Sequence, residues 1–260
     1  MPSHLPQDGQ RPVSDNVPGW RSFGASVIGK GHIDTGLPCQ DAWAVVRGEH
    51  RLVAIVCDGA GSARQSERAA KEVTLAVSES LAAVGADGEP DIAAALESAR
   101  MRLEAIAAEA GHDLDDYACT VVGLLLSGTR GLFFHLGDGL AVARTPDAPP
   151  VISLPENGEY SNETWFLSHR DWRAHLRTTP LPPPDQISCI ALMSDGAMPF
   201  AMARGNADLF EPFIGPVLRF LAAADDETGN EALAATLSSE RTYSITEDDK
   251  TLVLLLPQKP

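Results

Sequence analysis

Leu52-Val53-Ala54-Ile55-Val56-Cys57-Asp58-Gly59-Ala60-Gly61-Ser62 runs from an unbroken apolar stretch into a carboxylate and a glycine-rich turn. The apolar residues read as a buried strand, and the turn sets Asp58 at its mouth. Ser62 is a fair N-cap for a helix over residues 63–84, where Ala69, Val73, Ala76, Val77, Leu81 and Val84 share one face. The unit is strand, acidic turn, helix. A single Asp-Gly after a strand is first of all a tight turn, because glycine supplies positive φ.

Repetition changes the reading. Leu132-Phe133-Phe134-His135-Leu136-Gly137-Asp138-Gly139 and Ile190-Ala191-Leu192-Met193-Ser194-Asp195-Gly196 also send an apolar strand into Asp-Gly. Glu247-Asp248-Asp249 directly precedes the apolar run 251–256, and Gln40-Asp41 precedes another over 42–46. Carboxylates at five strand ends exceed what turn chemistry needs.

With 260 residues the chain can bury a large core, and no linker divides it. The expectation is a tail over residues 1–18 without order, followed by one domain over 19–257. Cys39, Cys57, Cys119 and Cys189 are far apart, which suits reduced thiols and a cytoplasmic location rather than a zinc site or a disulfide framework. A net charge of −16 argues against nucleic acid and anionic membrane as partners. No run reaches the length of a membrane span, and the polar start lacks the apolar core of a signal peptide.

In chain order, a strand over 20–28 leads into a long glycine-rich connection over 29–38. Segments 42–46 and 52–56 read as a hairpin, which would bring Asp41 and Asp58 to the same end of neighbouring strands. A second amphipathic helix spans 91–110 and stops at Gly111; strands follow over 118–126, 131–136 and 140–144. Residues 145–186 loosen into prolines and polar residues, with short strands at 151–154 and 164–167 and a lid-like character. The end of the chain reads as a buried strand over 187–193, helices over 209–221 and 231–237, and a closing strand over 251–256. Strands in runs, then helices, then strands fit an antiparallel α+β sandwich.

Carboxylates gathered at one sheet edge repel one another unless cations compensate them. Oxygen-only ligation points to magnesium or manganese rather than zinc, and a water shared by two such ions is acidified. That chemistry suits hydrolysis of a phosphate ester.

The ordered set Gln40-Asp41, Asp58-Gly59-Ala60-Gly61, Ala118-Cys119-Thr120, Gly137-Asp138-Gly139, Ser194-Asp195-Gly196 and Asp248-Asp249-Lys250-Thr251 closely resembles the bacterial branch of the metal-dependent type 2C protein serine/threonine phosphatases, from about Trp20 to Leu256. The resemblance implies a four-layer αββα sandwich of two mainly antiparallel sheets flanked by helices. It implies two Mn2+ or Mg2+ ions, or three. Asp58 falls on the bridging ligand with the Gly59 carbonyl beside it, Asp195 and Asp248 on the other direct ligands, Asp41 on a contact to metal-bound water, and Asp138 on a ligand of a third ion.

Three departures stand out. Gln40 replaces a frequent glutamate, Ala60 stands where human-type members carry a proposed general-acid histidine, and no arginine lies between Arg21 and Arg47 to receive the substrate phosphate. His32 takes the arginine's place if the motif is laid on Gly29-Lys30-Gly31-His32; a solvated loop histidine accounts for it equally well. His135, His169 and His175 read as structural.

The resemblance implies a monomeric phosphatase acting on phosphoserine and phosphothreonine in proteins, opposing a bacterial kinase or its targets. Two rivals share the metal core: a partner-binding module with weak or no catalysis, and a phosphatase for small metabolites.

Overall fold

A computed structural model describes residues 19–155 and 164–258. The proposed tail over 1–18 and residues 156–163 of the lid-like segment lie outside the described residues. Among the described residues ten strands form two five-stranded sheets. In sheet I the order is β1 (Trp20–Val27), β10 (Lys250–Pro257), β9 (Cys189–Met193), β6 (Leu140–Arg144), β7 (Val151–Ser153); in sheet II it is β2 (Ala42–Arg47), β3 (Arg51–Cys57), β4 (Val121–Ser127), β5 (Arg130–Leu136), β8 (Arg177–Pro180). Every pairing is antiparallel.

Three apolar layers separate four structural ones, as an αββα sandwich requires. Between the sheets lie Leu52, Ala54, Val56 and Leu124 of sheet II against Ala141, Ile190, Leu192 and Val253 of sheet I. The alternate residues of the same strands face outward and are buried too: Val53, Ile55 and Cys57 meet helices α2 (Ser66–Ala82) and α3 (Ile92–Ala110), which come after a short α1 (Lys30–Thr35). Strands covered on both faces read as continuous apolar runs, which is why β3 carries no polar alternation. On sheet I, Leu252, Leu254 and Met193 face the C-terminal helices, of which α6 (Glu211–Ala223) and α7 (Asp226–Leu237) come after two short helices, α4 (Trp172–His175) and α5 (Met198–Ala201). Each fully buried Leu or Val contributes roughly 1.5–3 kcal/mol.

Several boundaries differ from the sequence reading. The connection after β1 is not all loop: α1 occupies most of it and ends at Gly36, whose φ of 72° caps it. Ser62 is not an N-cap, because Gln65 holds that position without a side-chain bond while Gly59 to Arg64 stay in turns tied to neighbouring backbone. Asp91, read as the first residue of the second helix, instead caps α3, accepting from the Ala94 N–H at 2.9 Å. After β6 the strand expected at 151–154 is β7, which extends sheet I, while β8, which was not expected, extends sheet II. Residues 164–167 form no strand. Edge strands such as Arg177-Thr178-Thr179-Pro180 carry little apolar signal, so sequence patterning overlooks them.

Strand register places the acidic residues. Ala42 pairs with Cys57, Leu140 and Leu252 both pair with Met193, and Val27 pairs with Lys250. Asp41, Asp58, Asp138, Asp195, Asp248 and the chain leading into α1 therefore all emerge at one end of the sandwich.

Candidate metal centre

At that end Asp58, Asp138 and Asp195 each offer a carboxylate oxygen, and the three oxygens lie within 4.8 Å of one another. They line a cavity of about 220 Å³ together with His32, Gln40, Gly59, Thr120, Phe166, Asp248 and Asp249. A larger groove, about 910 Å³, lies by the turns at the opposite ends of β2–β3 and β4–β5, away from this cluster. Chemistry, not size, marks the site.

Backbone exchange between strands holds Asp58. Its N–H donates to Thr120 Oγ1 at 3.1 Å, its carbonyl accepts from the Thr120 N–H at 2.8 Å, and the next N–H, from Gly59, reaches the Gln40 carbonyl at 3.2 Å. A Cβ at Gly59 would stand 2.7 Å from that carbonyl, so close approach of two chains requires glycine here. Asp138 sits in the turn from β5 to β6, where the chain passes between sheets, and accepts from Thr164 Oγ1 at 2.6 Å. Asp41 lies beneath the cluster, 4% exposed, with Oδ2 accepting from Ser194 Oγ at 2.8 Å and Thr251 Oγ1 at 2.7 Å.

The two acids before β10 point to different tasks. Asp249 is 3% exposed and its oxygens accept from the Gly29 N–H at 2.6 Å, the Gln40 N–H at 2.6 Å and His32 Nδ1 at 2.9 Å. Asp248 is the more open of the two, and its Oδ1 accepts from the Asp249 N–H at 2.8 Å. Asp248 lines the cavity without joining the 4.8 Å cluster. His32 is therefore no solvated loop residue: it sits on α1, its side chain 17% exposed, anchored to a buried carboxylate.

Electrostatics favour a cation. Burial, with Asp41 and Asp195 close by, pushes the Asp58 carboxyl well above its ordinary value. Burial likewise raises Asp41 to about 7 and Asp195 to about 6, and lifts Asp248. Asp41 Oδ1 and Asp195 Oδ1 are buried with no hydrogen-bond partner among the described residues. Orphaned, mutually repelling carboxylate oxygens, with neither His nor Cys in the cluster, fit a hard divalent cation.

Sequence reasoning missed Ser194 and Thr251 as braces for Asp41, Asp249 as a hub, and Lys250. The last is fully buried, with its ammonium 4.0 Å from the Tyr243 ring centroid and donating to the Asp248 carbonyl at 3.3 Å. A lysine amid an acidic run was the available signal. His135 is structural as expected: it is fully buried against Ser153 Oγ at 3.0 Å, and burial, helped by Arg177, pushes its pKa down to about 3. Trp165 stacks on His175 at 3.4 Å and meets the edge of His169 at 4.9 Å. The four cysteines are free thiols.

Among the described residues no helix is long and apolar enough to cross a membrane. Comparison with known proteins returns a family model described as protein phosphatase 2C, matching residues 28–238. Serine/threonine-protein phosphatase 3 of Escherichia coli (strain K12) is 33% identical over 253 residues, covering 91% of this chain and 98% of that protein. Among solved structures, a bacterial serine phosphatase aligns with a TM-score of 0.63 at 15% identity, over 92% of this chain and 98% of that one. Stp1 of Staphylococcus aureus gives 0.62 at 14% identity, over 97% and 100%. RsbX in complex with magnesium gives 0.55 at 13%, over 92% and 96%. At such identities these structures speak to the fold.

Proposed function

The chain belongs to the protein phosphatase 2C family, and from that membership we propose that it removes phosphate from phosphoserine and phosphothreonine of proteins using Mn2+ or Mg2+ at the acidic end of the sandwich. As a member it is a metal-dependent serine/threonine phosphatase. The observation that carries the site assignment is the convergence of Asp58, Asp138 and Asp195 within 4.8 Å, on the strand ends that the pairing register brings together.

In this reading Asp58, the Gly59 carbonyl, Asp195 and Asp248 would hold two ions, with Asp41 behind them and Asp138 available to a third. Divalent cations there supply Lewis acidity to the phosphoryl oxygens and acidify a water. The protein's own part is positional. Ser194 and Thr251 hold Asp41, and Asp249 holds His32 at the cavity wall, where the phosphoryl group arrives. Phe166, against Ala60, Ala63 and Ala118, gives that cavity an apolar side.

The functional unit is one domain over 19–257, acting as a monomer in the cytoplasm, on phosphoproteins that a serine/threonine kinase generates. The magnesium named for RsbX supports a hard cation in this fold. A module without catalysis is disfavoured, because uncompensated buried carboxylates are costly to retain. The test is hydrolysis of a phosphoserine peptide and a small aryl phosphate, each with Mn2+, with Mg2+ and with chelator. Metal-dependent release from the peptide is expected; release that chelator leaves untouched, or none from the peptide, overturns the reading.

A further inference from the structure

The bond between His32 and Asp249 restricts what the imidazole can do. Asp249 already accepts from two backbone N–H groups at 2.6 Å, so its carboxylate meets His32 Nδ1 as an acceptor at 2.9 Å and Nδ1 carries the hydrogen. A neutral imidazole has one N–H, and that one is spent on Asp249. The other ring nitrogen, Nε2, is then a lone pair in the neutral ring and an N–H only in the imidazolium. With Nδ1–H committed to Asp249, His32 can donate from Nε2 only as the imidazolium.

Resting on the phosphatase reading, we propose that His32, positioned by Asp249, is the general acid that protonates the leaving serine or threonine oxygen. As the water oxygen bonds to phosphorus and the P–O bond to the side chain breaks, the Nε2 proton passes to the departing alkoxide and yields the hydroxyl. His32 is left neutral with Nδ1–H still on Asp249. The proton lost by the attacking water, by way of solvent, restores the imidazolium. One ester and one water give one alcohol and one hydrogen phosphate, with no other reactant.

Two further observations favour this role over a simple phosphate anchor. Ala60, which lines the cavity beside Asp58 and Gly59, has no side-chain proton to give, whereas His32 lines the same cavity with an imidazole. Asp249 is built in rather than incidental: it joins the entry to α1, the residue before Asp41 and the start of β10, so the ring's orientation is set by the same contacts that shape the cavity. Asp249 is thus a positioning residue.

Leaving-group dependence separates acid from anchor. A 4-nitrophenolate departs without help, whereas a serine alkoxide does not. For His32→Ala with Mn2+, kcat on a phosphoserine peptide should fall about 100-fold or more while kcat on 4-nitrophenyl phosphate falls only about threefold. His32→Arg should recover KM on the peptide but not kcat, because a guanidinium binds phosphate and does not release its proton. Independently of turnover, 15N NMR of the metal-free protein should show a protonated His32 Nδ1 whose signal moves in Asp249→Asn, with thermal melts confirming that the variants fold. Equal losses on both substrates, full recovery of kcat in His32→Arg, or an unprotonated Nδ1 would overturn the proposal while leaving the phosphatase reading intact. Wild-type protein inert toward both substrates would instead remove that reading, and this inference with it.

Discussion

Ser194 Oγ donates to Asp41 Oδ2 at 2.8 Å and so joins the end of β9 in sheet I to the start of β2 in sheet II. The same carboxylate oxygen accepts from Thr251 Oγ1 of β10, and Ser194 Oγ in turn accepts from the Thr251 N–H at 2.9 Å. The acidic end is braced across the two sheets by hydroxyl groups. Ser194→Ala should therefore cost about 1–2 kcal/mol, since it orphans a buried N–H and loosens Asp41. Manganese affinity should drop by roughly tenfold, as for other groups that orient a site from behind. A melt and a titration equal to wild type would show the brace to be idle.

Asp58→Asn and Asp195→Asn each remove a charged oxygen donor while keeping shape, and manganese-dependent hydrolysis should fall by at least about 100-fold. In chelator the same variants should melt higher than wild type, because one repelling carboxylate is gone; each 1 kcal/mol gained appears as about 2–4 °C. Retained turnover in either would sink the assignment of these ligands.

The acids before β10 should separate cleanly. Asp248→Ala should weaken manganese binding by calorimetry with little change in stability, since its carboxylate accepts from the adjacent Asp249 N–H rather than tying distant segments together. Asp249→Ala removes the acceptor of three N–H groups and should cost about 2–4 kcal/mol, with the smaller direct effect on metal affinity. The reverse order of affinities would place the register off by one.

Stability of the chelated protein should depend on pH with a definite sign. Asp41 at about 7 and Asp195 at about 6 lie above the ordinary value of 3.8, and burial beside Asp41 and Asp195 raises Asp58 well above it too. Between about pH 4 and 7 the folded chain therefore holds more protons than the unfolded one, and stability falls as pH rises. His135, held at about 3 against an ordinary 6.5, acts oppositely and removes stability as pH falls below 6.5, but it is one group against three. In chelator the protein should melt higher at pH 5 than at pH 7.5, and Asp41→Asn should flatten the difference. Saturating Mn2+ should reverse the order. A melting temperature that climbs with pH in chelator contradicts repulsion among these carboxylates.

Gly29→Ala probes how closely the α1 entry approaches the acids. A Cβ at Gly29 would collide with the Glu247 carbonyl oxygen and the Asp248 backbone, and the Gly29 N–H is one of the donors that Asp249 accepts. The substitution should displace both segments, cost about 1–3 kcal/mol, and reduce peptide hydrolysis more than it reduces folding. Wild-type kinetics would show that the segments can separate without consequence.

Asp58, Asp138, Asp195 and Asp248 were legible as candidates because each follows or precedes a strongly apolar strand, and because the motif order carries a family resemblance. The β2–β3 hairpin already implied that Asp41 and Asp58 share an end, and the register of Ala42 with Cys57 gives that geometry. Helix α3 was legible to within a residue at its start and at its Gly111 stop, whose φ is 69°; Asp91, read as its first residue, is its cap. Helix α1 and strand β8 were not, since glycines mask the first and the second is a polar edge held by pairing with β5.

Residue pattern alone sets the local units: which runs form buried strands, which helices show one apolar face, and which carboxylates stand at strand ends. Those follow from side-chain periodicity and turn chemistry, which act over a few residues. It took the packed fold to turn Asp249 away to gather Gly29, Gln40 and His32, to lock Asp41 by hydroxyls of the other sheet, and to commit the single N–H of His32. Asp249 and Gln40 are 209 positions apart in the chain, and Asp41 and Thr251 are 210 apart. Contacts of that separation depend on how two sheets stack, and no local pattern encodes which of two adjacent carboxylates will face inward.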